Sequence, residues 1–325
     1  MRKARVFALG LGALLTGAAF IAAREAPDPA RIAAPRPIES ARKLFVSGHS
    51  LTTPLIGPLN RMTPPLDVVS HSIDGSTIRQ RRDTGPSADT DILLVTEQHR
   101  LLDAMTLADT VGSLREMHER FRALNPSGVT VFYTSWADLS DPEAPEAWVE
   151  FERRAAPVWA CLAHRAGEGS DAIRVLPASL ALADLVAALT AEPDAFPGFE
   201  GTAPRAITQA MFTDRVHVSP LGGFFLARLS AEFLVGSERA ASLRAPPDLD
   251  PAQVRSVSQF AAGFAKDWRA AGAPADPCRG ATPAGFVPAY TDYMEATYGQ
   301  SGESVWRKEA SRLRHALALY RRLLL

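Results

Sequence analysis

Cysteine is almost absent from this 325-residue sequence, which contains only Cys161 and Cys278. Neither lies in a CxxC pair or near a histidine at the spacing of a zinc site, so no metal is predicted, and we expect no other cofactor. The two cysteines lie far apart in the sequence and leave two alternatives open, free thiols or one disulfide. A disulfide would require an oxidising compartment.

An excess of charge of either sign is also absent. The chain has 35 lysine and arginine residues against 36 aspartate and glutamate residues, and its formal net charge is −1. This balance excludes the strongly basic surface that nucleic-acid binding requires, so no nucleic-acid partner is expected. Apolar residues make up 46% of the chain, which is sufficient for a large core in one or two globular domains.

Long apolar runs are absent except at the N-terminus, where residues 6–23 carry no charge and follow Arg2, Lys3 and Arg5. This order predicts a secretory signal, with a small-residue cleavage site that ends at Ala23. Left uncleaved, a run of about 18 residues is just long enough to anchor the chain in a bilayer. Either alternative places the body outside the cytoplasm, as a periplasmic or secreted protein. A buried helix of the folded body is the remaining alternative for this run.

Composition and periodicity divide the chain into four segments. Residues 1–23 form the signal or anchor, and residues 24–41, which include "APDPARIAAPRPIES", form a proline-rich extended linker. Residues 42–236 alternate short apolar runs with longer amphipathic stretches and form the main domain. Residues 237–325 lack clear strands and form a helical C-terminal extension.

The main domain is predicted to be α/β. Five apolar runs have the length and composition of buried strands, at 43–47, 66–71, 91–96, 128–134 and 172–176. Helical spacing separates them, as at 147–166 and at 107–124, where one face would bury Leu107, Val111, Leu114, Met117, Phe121 and Leu124. The alternation predicts a mostly parallel five-stranded sheet flanked by helices, a flavodoxin-like α/β/α sandwich. Ligands of such sheets bind beyond the carboxyl ends of the strands.

The extension is predicted to contain helices and no strand. One helix covers about residues 252–270, and a stretch rich in glycine and proline follows it as far as Pro288. The last helix, about residues 303–325, carries an apolar stripe between arginines, formed by Trp306, Leu313, Leu317 and Leu324. We expect this helix to pack on the main domain, and the alternative is a helix that binds a membrane surface or a partner protein.

A serine, a candidate base and an orienting group occur in two predicted loops. Ser50 follows the first strand in "LFVSGHSLT", at the end of the sheet where a site is expected. His217 lies three residues after Asp214 in "DRVHVSPLG", so the carboxylate can brace the imidazole within one turn. Ser219 is predicted to cap the next helix, with Pro220 in its first turn. The second loop is therefore expected to be held at a helix start.

These two motifs resemble the SGNH, or GDSL-type, hydrolase superfamily. Its members carry a Gly-x-Ser block early in the chain and an Asp-x-x-His block late, and the resemblance covers residues 43–235. It implies that Ser50 is the nucleophile, that His217 is the general base and then the general acid, and that Asp214 orients His217. His49 departs from the pattern, because aspartate or asparagine is more common before the serine.

The resemblance also implies an oxyanion hole with three donors. They would be the backbone N–H of Ser50, the backbone N–H of Gly75 in "SIDGSTI" and the side-chain amide of Gln98. Gln98 would replace the asparagine of a Gly-x-Asn block, which "LLVTEQHRL" lacks. Glu97 and His99 are the alternatives to Gln98 at this position.

Purely structural roles are the alternatives to these assignments. Ser50 could serve only as the N-cap of the following helix, and Asp214 with His217 could form a surface turn with a local hydrogen bond. Trp136 in "YTSWADL" belongs either to the core or to the floor of a substrate pocket. The positions of the two motifs after predicted strands favour the catalytic interpretation.

The function predicted by these features is that of an exported serine esterase that acts through an acyl-enzyme. Similar exported proteins often act on acetylated glycans, so an O-deacetylase of a carbohydrate is expected by analogy. Two alternatives stay open: an O-acyltransferase on a polysaccharide, and a catalytically inert protein that binds glycan in the cell envelope. The expected partner is a small-molecule or glycan ester, and the oligomeric state stays open.

Overall fold

A five-stranded parallel sheet forms the centre of the protein. The computed structural model describes residues 31–168, 172–299 and 305–321. The described residues contain seven strands in two sheets. In chain order they are β1 (Arg31–Ile32), β2 (Lys43–Gly48), β3 (Asp67–Ser72), β4 (Ile92–Thr96), β5 (Val129–Tyr133), β6 (Arg174–Leu176) and β7 (Ala273–Pro274). Strands β2 to β6 run parallel in the order β3-β2-β4-β5-β6, which is the order of flavodoxin-like folds. All five predicted strands are present, and the predicted fold class is confirmed.

The composition of the strands explains which of them lie inside. Every residue of β4 is buried, and so is all of β2 after Lys43. Helices cover such strands on both faces, as their continuous apolar runs require. Strand β3 buries only Val68 and forms one edge of the sheet. The carboxyl ends of β2, β4 and β5 therefore lie side by side in the middle of the sheet, where a site can form.

The described residues contain twelve α-helices around the sheet. They are α1 (Thr53–Asn60), α2 (Ile78–Arg81), α3 (Leu101–Ala108), α4 (Thr110–Leu124), α5 (Glu146–Ala166), α6 (Ala178–Ala191), α7 (Pro204–Met211), α8 (Pro220–Leu234), α9 (Ser237–Ala241), α10 (Pro251–Ala271), α11 (Pro283–Tyr298) and α12 (Val305–Leu319). Two short 3₁₀ helices cover Pro193–Ala195 and Pro277–Gly280.

The helix predicted at 107–124 is in fact two helices. Helices α3 and α4 meet at Asp109, which adopts a left-handed conformation with φ of 49° and so breaks the helical path. Leu107 and Leu124, which are predicted to be buried, are 71% and 53% exposed. The predicted apolar face is correct for the middle of α4, which buries Val111, Leu114, Met117 and Phe121.

The described part of the extension, residues 237–299 and 305–321, packs on the main domain. Helix α10 lies against α8, and α11 lies against α5, where the rings of Phe151 and Tyr293 stack with centroids 4.3 Å apart. A disulfide between Cys161 on α5 and Cys278 also joins the extension to the main domain. Of the two alternatives left open by the cysteine pattern, the disulfide is the one observed.

Two elements of the extension differ from the prediction. Strand β7 pairs antiparallel with β1, although no strand is predicted there. Helix α11 begins at Pro283, inside a stretch predicted to be irregular. Proline fits the first turn of a helix, and the Thr282 hydroxyl caps this one by accepting a hydrogen bond from the Gly285 N–H at 3.2 Å. Proline and glycine therefore mark a helix start here and not a loop.

The last helix presents a different face from the one expected. His315 and Leu319 are buried, and His315 Nε2 lies 3.1 Å from Asp103 Oδ1 on α3. These contacts hold the opposite face against the protein, so the predicted stripe is exposed, at 85%, 62% and 53% for Trp306, Leu313 and Leu317. Leu324 lies outside the described residues. The helix therefore packs on the main domain as predicted, but it does so through the face opposite to the predicted stripe.

Residues 31–41 belong to the folded body and not to a free linker. Besides the pairing of β1 with β7, the Ile38 N–H donates a hydrogen bond to Leu234 O at 2.8 Å, and Ala41 is buried. The fold therefore begins before residue 42. The predicted signal or anchor lies outside the described residues, and none of the described helices is long and apolar enough to cross a membrane.

Candidate active site

The serine loop, residues 48–52, leaves strand β2 at its carboxyl end. Gly48 is required in this turn, because a Cβ atom on it would lie 1.9 Å from the Thr52 hydroxyl oxygen. The His49 N–H donates a hydrogen bond to that hydroxyl at 3.2 Å. Thr52 is the N-cap residue of α1, so the alternative in which Ser50 caps this helix is wrong. The half-buried Ser50 can therefore use its hydroxyl elsewhere.

The histidine loop, residues 212–218, connects α7 to α8. It closes on itself where the Thr213 N–H donates a hydrogen bond to His217 O at 2.8 Å. Ser219 caps α8 as predicted, since its hydroxyl accepts a hydrogen bond from the Gly222 N–H at 3.1 Å, and proline begins the helix. Both ends of the loop are thus fixed.

The two loops meet and bring three predicted residues together. His217 Nε2 lies 3.0 Å from Ser50 Oγ, and His217 Nδ1 lies 2.7 Å from Asp214 Oδ2. Because an ionised carboxylate only accepts hydrogen bonds, we assign the proton to Nδ1, so that Nε2 accepts from the Ser50 hydroxyl. A surface turn with only a local hydrogen bond would not make the contact with Ser50. The arrangement is one in which histidine can remove the serine proton.

Asp214 is held as an ionised carboxylate by its own loop. Its Oδ1 atom accepts hydrogen bonds from the N–H groups of Val216 and His217 at 2.8 and 2.7 Å. Desolvation acts to raise the pKa of Asp214, but the hydrogen bonds from Val216 and from the His217 backbone and ring outweigh it and lower the pKa below its ordinary value. The side chains of His217 and Asp214 are 44% and 55% exposed, so this pair is open to water.

His49 ties the serine loop to the end of strand β4. It is 1% exposed, and its Nε2 atom lies 3.0 Å from Glu97 O. Since a carbonyl only accepts, Nε2 donates, and Nδ1 faces the Leu51 N–H at 3.4 Å. Burial lowers the pKa of His49 to about 4, so the ring stays neutral. An ionised aspartate, the commoner residue in the superfamily that the sequence resembles, could not donate this hydrogen bond.

Glu97 faces the interior and not the site. Its carboxylate accepts hydrogen bonds from the N–H groups of Ile78 and Gln98 at 3.1 and 2.7 Å, and from the Thr110 hydroxyl at 2.7 Å. Burial raises the pKa of Glu97, while these hydrogen bonds and the charge of Arg81 oppose the shift. Since its carboxylate is enclosed, Glu97 is not an oxyanion donor, and that alternative to Gln98 is wrong.

The segment that follows β5, residues 136–140, supports the histidine loop. Trp136 Nε1 donates a hydrogen bond to Val216 O at 2.8 Å. The Leu139 N–H donates to Arg215 O at 2.7 Å, and Arg215 Nε donates in return to Leu139 O at 2.7 Å. Trp136 is 0% exposed, so it belongs to the core and cannot line the floor of an open pocket.

The extension supports the same region from the other side. The Tyr293 hydroxyl on α11 donates a hydrogen bond to Asp138 O at 2.6 Å and accepts one from the Ser140 N–H at 3.1 Å. Arg215 also donates to Thr297 O at 3.4 Å. Sequence reasoning missed these supporting residues, because no local pattern connects a tyrosine with a loop 155 residues earlier.

The two other predicted oxyanion donors follow strands that neighbour β2. Gly75 lies in an exposed turn after β3, with φ of 66°, a conformation that favours glycine. Gln98 follows β4, and its Oε1 atom accepts a hydrogen bond from the Arg100 N–H at 2.9 Å, which leaves the amide N–H groups as donors. Neither shares a hydrogen bond with Ser50 among the described residues, so their place in an oxyanion hole stays a prediction.

His99 is the remaining alternative to Gln98. Its Nε2 atom lies 3.5 Å from Asp138 Oδ1, and the two side chains are 22% and 20% exposed. Burial lowers the pKa of His99, Asp138 opposes the shift, and the charges of Arg100 and His217 add to it. The effect of His217 on the pKa of His99 places the His99 ring close enough to feel the charge of His217.

A metal site is not predicted from the sequence. Within the ranges that the structure describes, no three histidine, cysteine, aspartate or glutamate side chains are grouped as metal ligands.

Comparison with known proteins adds little to this geometry. No family model matches the chain, and no curated protein matches it. One solved structure with some likeness is that of a DUF4886 family protein from Bacteroides uniformis, at 13% identity and a TM-score of 0.48, over 68% of this chain and 93% of that chain. A likeness of this size assigns the chain neither a family nor an activity.

Proposed function

We propose that the protein is a serine ester hydrolase. The observation that carries the proposal is the continuous series of hydrogen bonds from Ser50 through His217 to Asp214, with distances of 3.0 and 2.7 Å. The lowered pKa of Asp214 keeps the carboxylate ionised, as base-assisted attack by serine requires. Ser50 comes early in the chain, and Asp214 and His217 come late, as in the SGNH superfamily that the sequence resembles.

In the proposed reaction, Ser50 Oγ attacks the carbonyl carbon of an ester while His217 Nε2 accepts the hydroxyl proton. Asp214 stabilises the imidazolium and keeps it oriented. When the tetrahedral intermediate collapses, the bond between the carbonyl carbon and the alcohol oxygen breaks, and His217 gives its proton to that oxygen. Water then attacks the acyl-Ser50 ester with His217 again as base, and Ser50 regains its proton as the acid leaves.

The charge that develops on the carbonyl oxygen needs preorganised donors. We assign this role to the backbone N–H groups of Ser50 and Gly75 and to the side-chain amide of Gln98, with the His99 ring as the alternative to Gln98. Each donor would contribute about 3 kcal/mol. His49 supports the assignment, because it joins the serine loop to the end of β4, immediately before Gln98 and His99.

The exposure of the site favours hydrolysis over acyl transfer, and it favours substrates in which the alcohol part of the ester is large. His217 and Asp214 are about half exposed, so water can reach an acyl-enzyme, whereas a transferase has to keep water out. An open site also admits an ester carried by a polymer. From this and from the resemblance we propose a carbohydrate O-acyl ester, such as an O-acetyl ester, as the substrate.

We propose that the enzyme works outside the cytoplasm, in the periplasm or as a secreted protein. The disulfide between Cys161 and Cys278 supports this location, because disulfides persist in oxidising compartments. The uncharged run at 6–23 supports it as a secretory signal or anchor.

Hydrolysis of p-nitrophenyl acetate tests the proposal. We expect measurable release of p-nitrophenol by the wild type and release at the background rate by Ser50→Ala. Ser72→Ala is the matched control, because Ser72 is an exposed serine at the end of the neighbouring strand and should retain wild-type activity. Equal rates for the wild type and Ser50→Ala would show that Ser50 is not the nucleophile.

Two further measurements separate the alternative functions. A fluorophosphonate probe should label the wild type but not Ser50→Ala, and failure to label well-folded wild type would favour a glycan-binding protein without catalysis. Product analysis with an acetylated donor and a glycan acceptor should give free acetate. Acetyl groups found on the acceptor would instead identify an O-acyltransferase.

A further inference from the structure

Helix α12 and the residue after it expose an apolar stripe. The stripe residues Trp306, Leu313, Leu317 and Tyr320 are 85%, 62%, 53% and 48% exposed. Their spacing of seven, four and three residues places them on one side of the helix. Single exposed apolar side chains are common, but a row of four on one helix marks a surface that binds an apolar partner.

A row of arginines borders this apolar stripe. Arg307, Arg314 and Arg321 recur every seven residues, each one position after a stripe residue, and all three are exposed. None of them forms an ion pair with another residue that the structure describes. Arg312, by contrast, is paired with Asp292 on α11 at 2.5 Å. The helix thus presents three cationic groups along one border of the stripe.

We propose that this face of α12 binds the surface of a membrane that contains anionic lipids. Arginines can contact lipid phosphates while the leucines enter the boundary of the acyl chains, and Trp306 and Tyr320 are residue types enriched at that depth. A second copy of this chain is a poorer partner, because the arginine rows of both helices would border the same interface and repel each other. The positive charge of the three bordering arginines therefore favours an anionic surface as the partner.

The face of α12 opposite to the stripe is fixed to the protein. His315 and Leu319 hold the other face against the protein, with His315 bonded to Asp103 on α3. The stripe is consequently displayed on a folded helix before any membrane is met, so binding does not include the cost of forming the helix.

Tryptophan fluorescence of the full chain tests the proposal. The chain is mixed with vesicles of equal parts phosphatidylcholine and phosphatidylglycerol, and emission is measured with and without brominated acyl chains as quenchers. Residues 1–30 contain no tryptophan, so the N-terminal apolar run cannot produce the signal directly. We expect a blue shift and quenching that weaken at high salt and disappear in Trp306→Phe.

Matched variants separate the stripe from general effects of charge and apolarity. Replacing Arg307, Arg314 and Arg321 together by glutamine should weaken Trp306 insertion by about 100-fold. The same change at three other exposed arginines, Arg244, Arg255 and Arg279, should have little effect. Leu317→Ser should also weaken insertion, whereas Leu124→Ser should not, although both leucines are 53% exposed. Circular dichroism verifies that each variant is folded.

Three results would overturn the inference. The first is the absence of lipid quenching of Trp306 in the folded wild type, and the second is equal quenching by vesicles of phosphatidylcholine alone. The third is a stable dimer in sedimentation without lipid that Leu317→Ser dissociates, because it would assign the stripe to a second copy of the chain.

Discussion

The two loops that meet at the candidate active site are built differently. The serine loop is buried, with His49 1% and Thr52 0% exposed, and a hydrogen bond to the end of a core strand holds it. The histidine loop lies at the surface, and the described contacts that hold it are hydrogen bonds within the loop, the bond from the Trp136 indole and the pairing of Arg215 with Leu139. The position of the nucleophile thus follows from the sheet, whereas that of the base depends on the loop itself and on residues 136–139, which are distant in sequence.

This difference has a consequence for dynamics. Buried, hydrogen-bonded segments open only with large parts of the fold, while exposed loops open locally at low free energy. We therefore expect substitutions near Ser50 to affect stability and catalysis together. Substitutions in residues 136–140, which hold the histidine loop, should lower kcat even where the free energy of unfolding changes only moderately.

Asp214→Asn should produce the largest loss. The amide can offer a donor to His217 Nδ1, which favours the wrong tautomer, and kcat should fall by about 10⁴-fold. Asp214 is 55% exposed, so the melting temperature should change little. Esterase kinetics and thermal melts measure both effects. Asp141→Asn, at an exposed aspartate that follows residues 136–140, serves as the control. An equal loss of kcat in that variant would show that Asp214 does not orient His217.

Substitution of His49 should produce the next largest loss. Glutamine can place an amide N–H at the position of Nε2 and keep the hydrogen bond to Glu97 O, whereas asparagine is too short. His49→Asn should therefore lower kcat by about 100-fold with little change in KM, because the serine loop is misplaced relative to Gln98. His49→Gln should stay within about tenfold of the wild type. Equal losses in both variants would show that the hydrogen bond is not what positions Ser50.

The same residue predicts how stability depends on pH. Burial lowers the pKa of His49 to about 4 in the folded state, while the unfolded chain has the ordinary value of 6.5. Between these values only the unfolded chain binds the proton, so this contribution to stability is present above pH 6.5 and is lost as pH falls towards 4, up to about 3 kcal/mol. Urea unfolding at pH 7 and 4.5 should show a smaller decrease for His49→Gln than for the wild type. An equal decrease would refute the assignment.

Trp136→Phe tests the support of the histidine loop. The change removes the hydrogen bond from the indole to Val216 O and leaves a cavity, so unfolding should become easier by about 2 kcal/mol and kcat should fall about tenfold. Trp159→Phe is the control, because Trp159 is equally buried but packs on Phe132, away from this loop. The control should lose stability and keep its kcat. Similar kcat values in both variants would mean that Trp136 contributes only packing.

Tyr293→Phe should produce the smallest effect. It removes the two hydrogen bonds by which α11 holds residues 138–140, and we expect a loss of about 1 kcal/mol in stability and a fall in kcat of about threefold. Tyr290→Phe lies one turn away and removes a contact with Asp103 instead, so it should leave kcat unchanged. If the two variants behave alike, the extension stabilises the fold without supporting the site.

The features that sequence reasoning predicts correctly are local ones. A continuous apolar run such as 91–96 indicates a central strand, because a strand covered on both faces needs apolar residues at every position. Asp214 and His217 are three residues apart, so their contact needs only one turn. The break at Asp109 was not predicted, since a single left-handed residue leaves the apolar spacing on either side almost unchanged.

By itself, the sequence determined the α/β pattern, the order of strands and helices along the chain and the candidate residues Ser50, Asp214 and His217, because each depends on neighbours along the chain. The tertiary structure decided which distant groups meet. It set the 3.0 Å contact between Ser50 and His217, the hydrogen bond of His49 to strand β4, and the outward face of α12. The physical reason is that these contacts depend on how helices and strands pack, and packing joins residues whose separation in the chain carries no periodic signal.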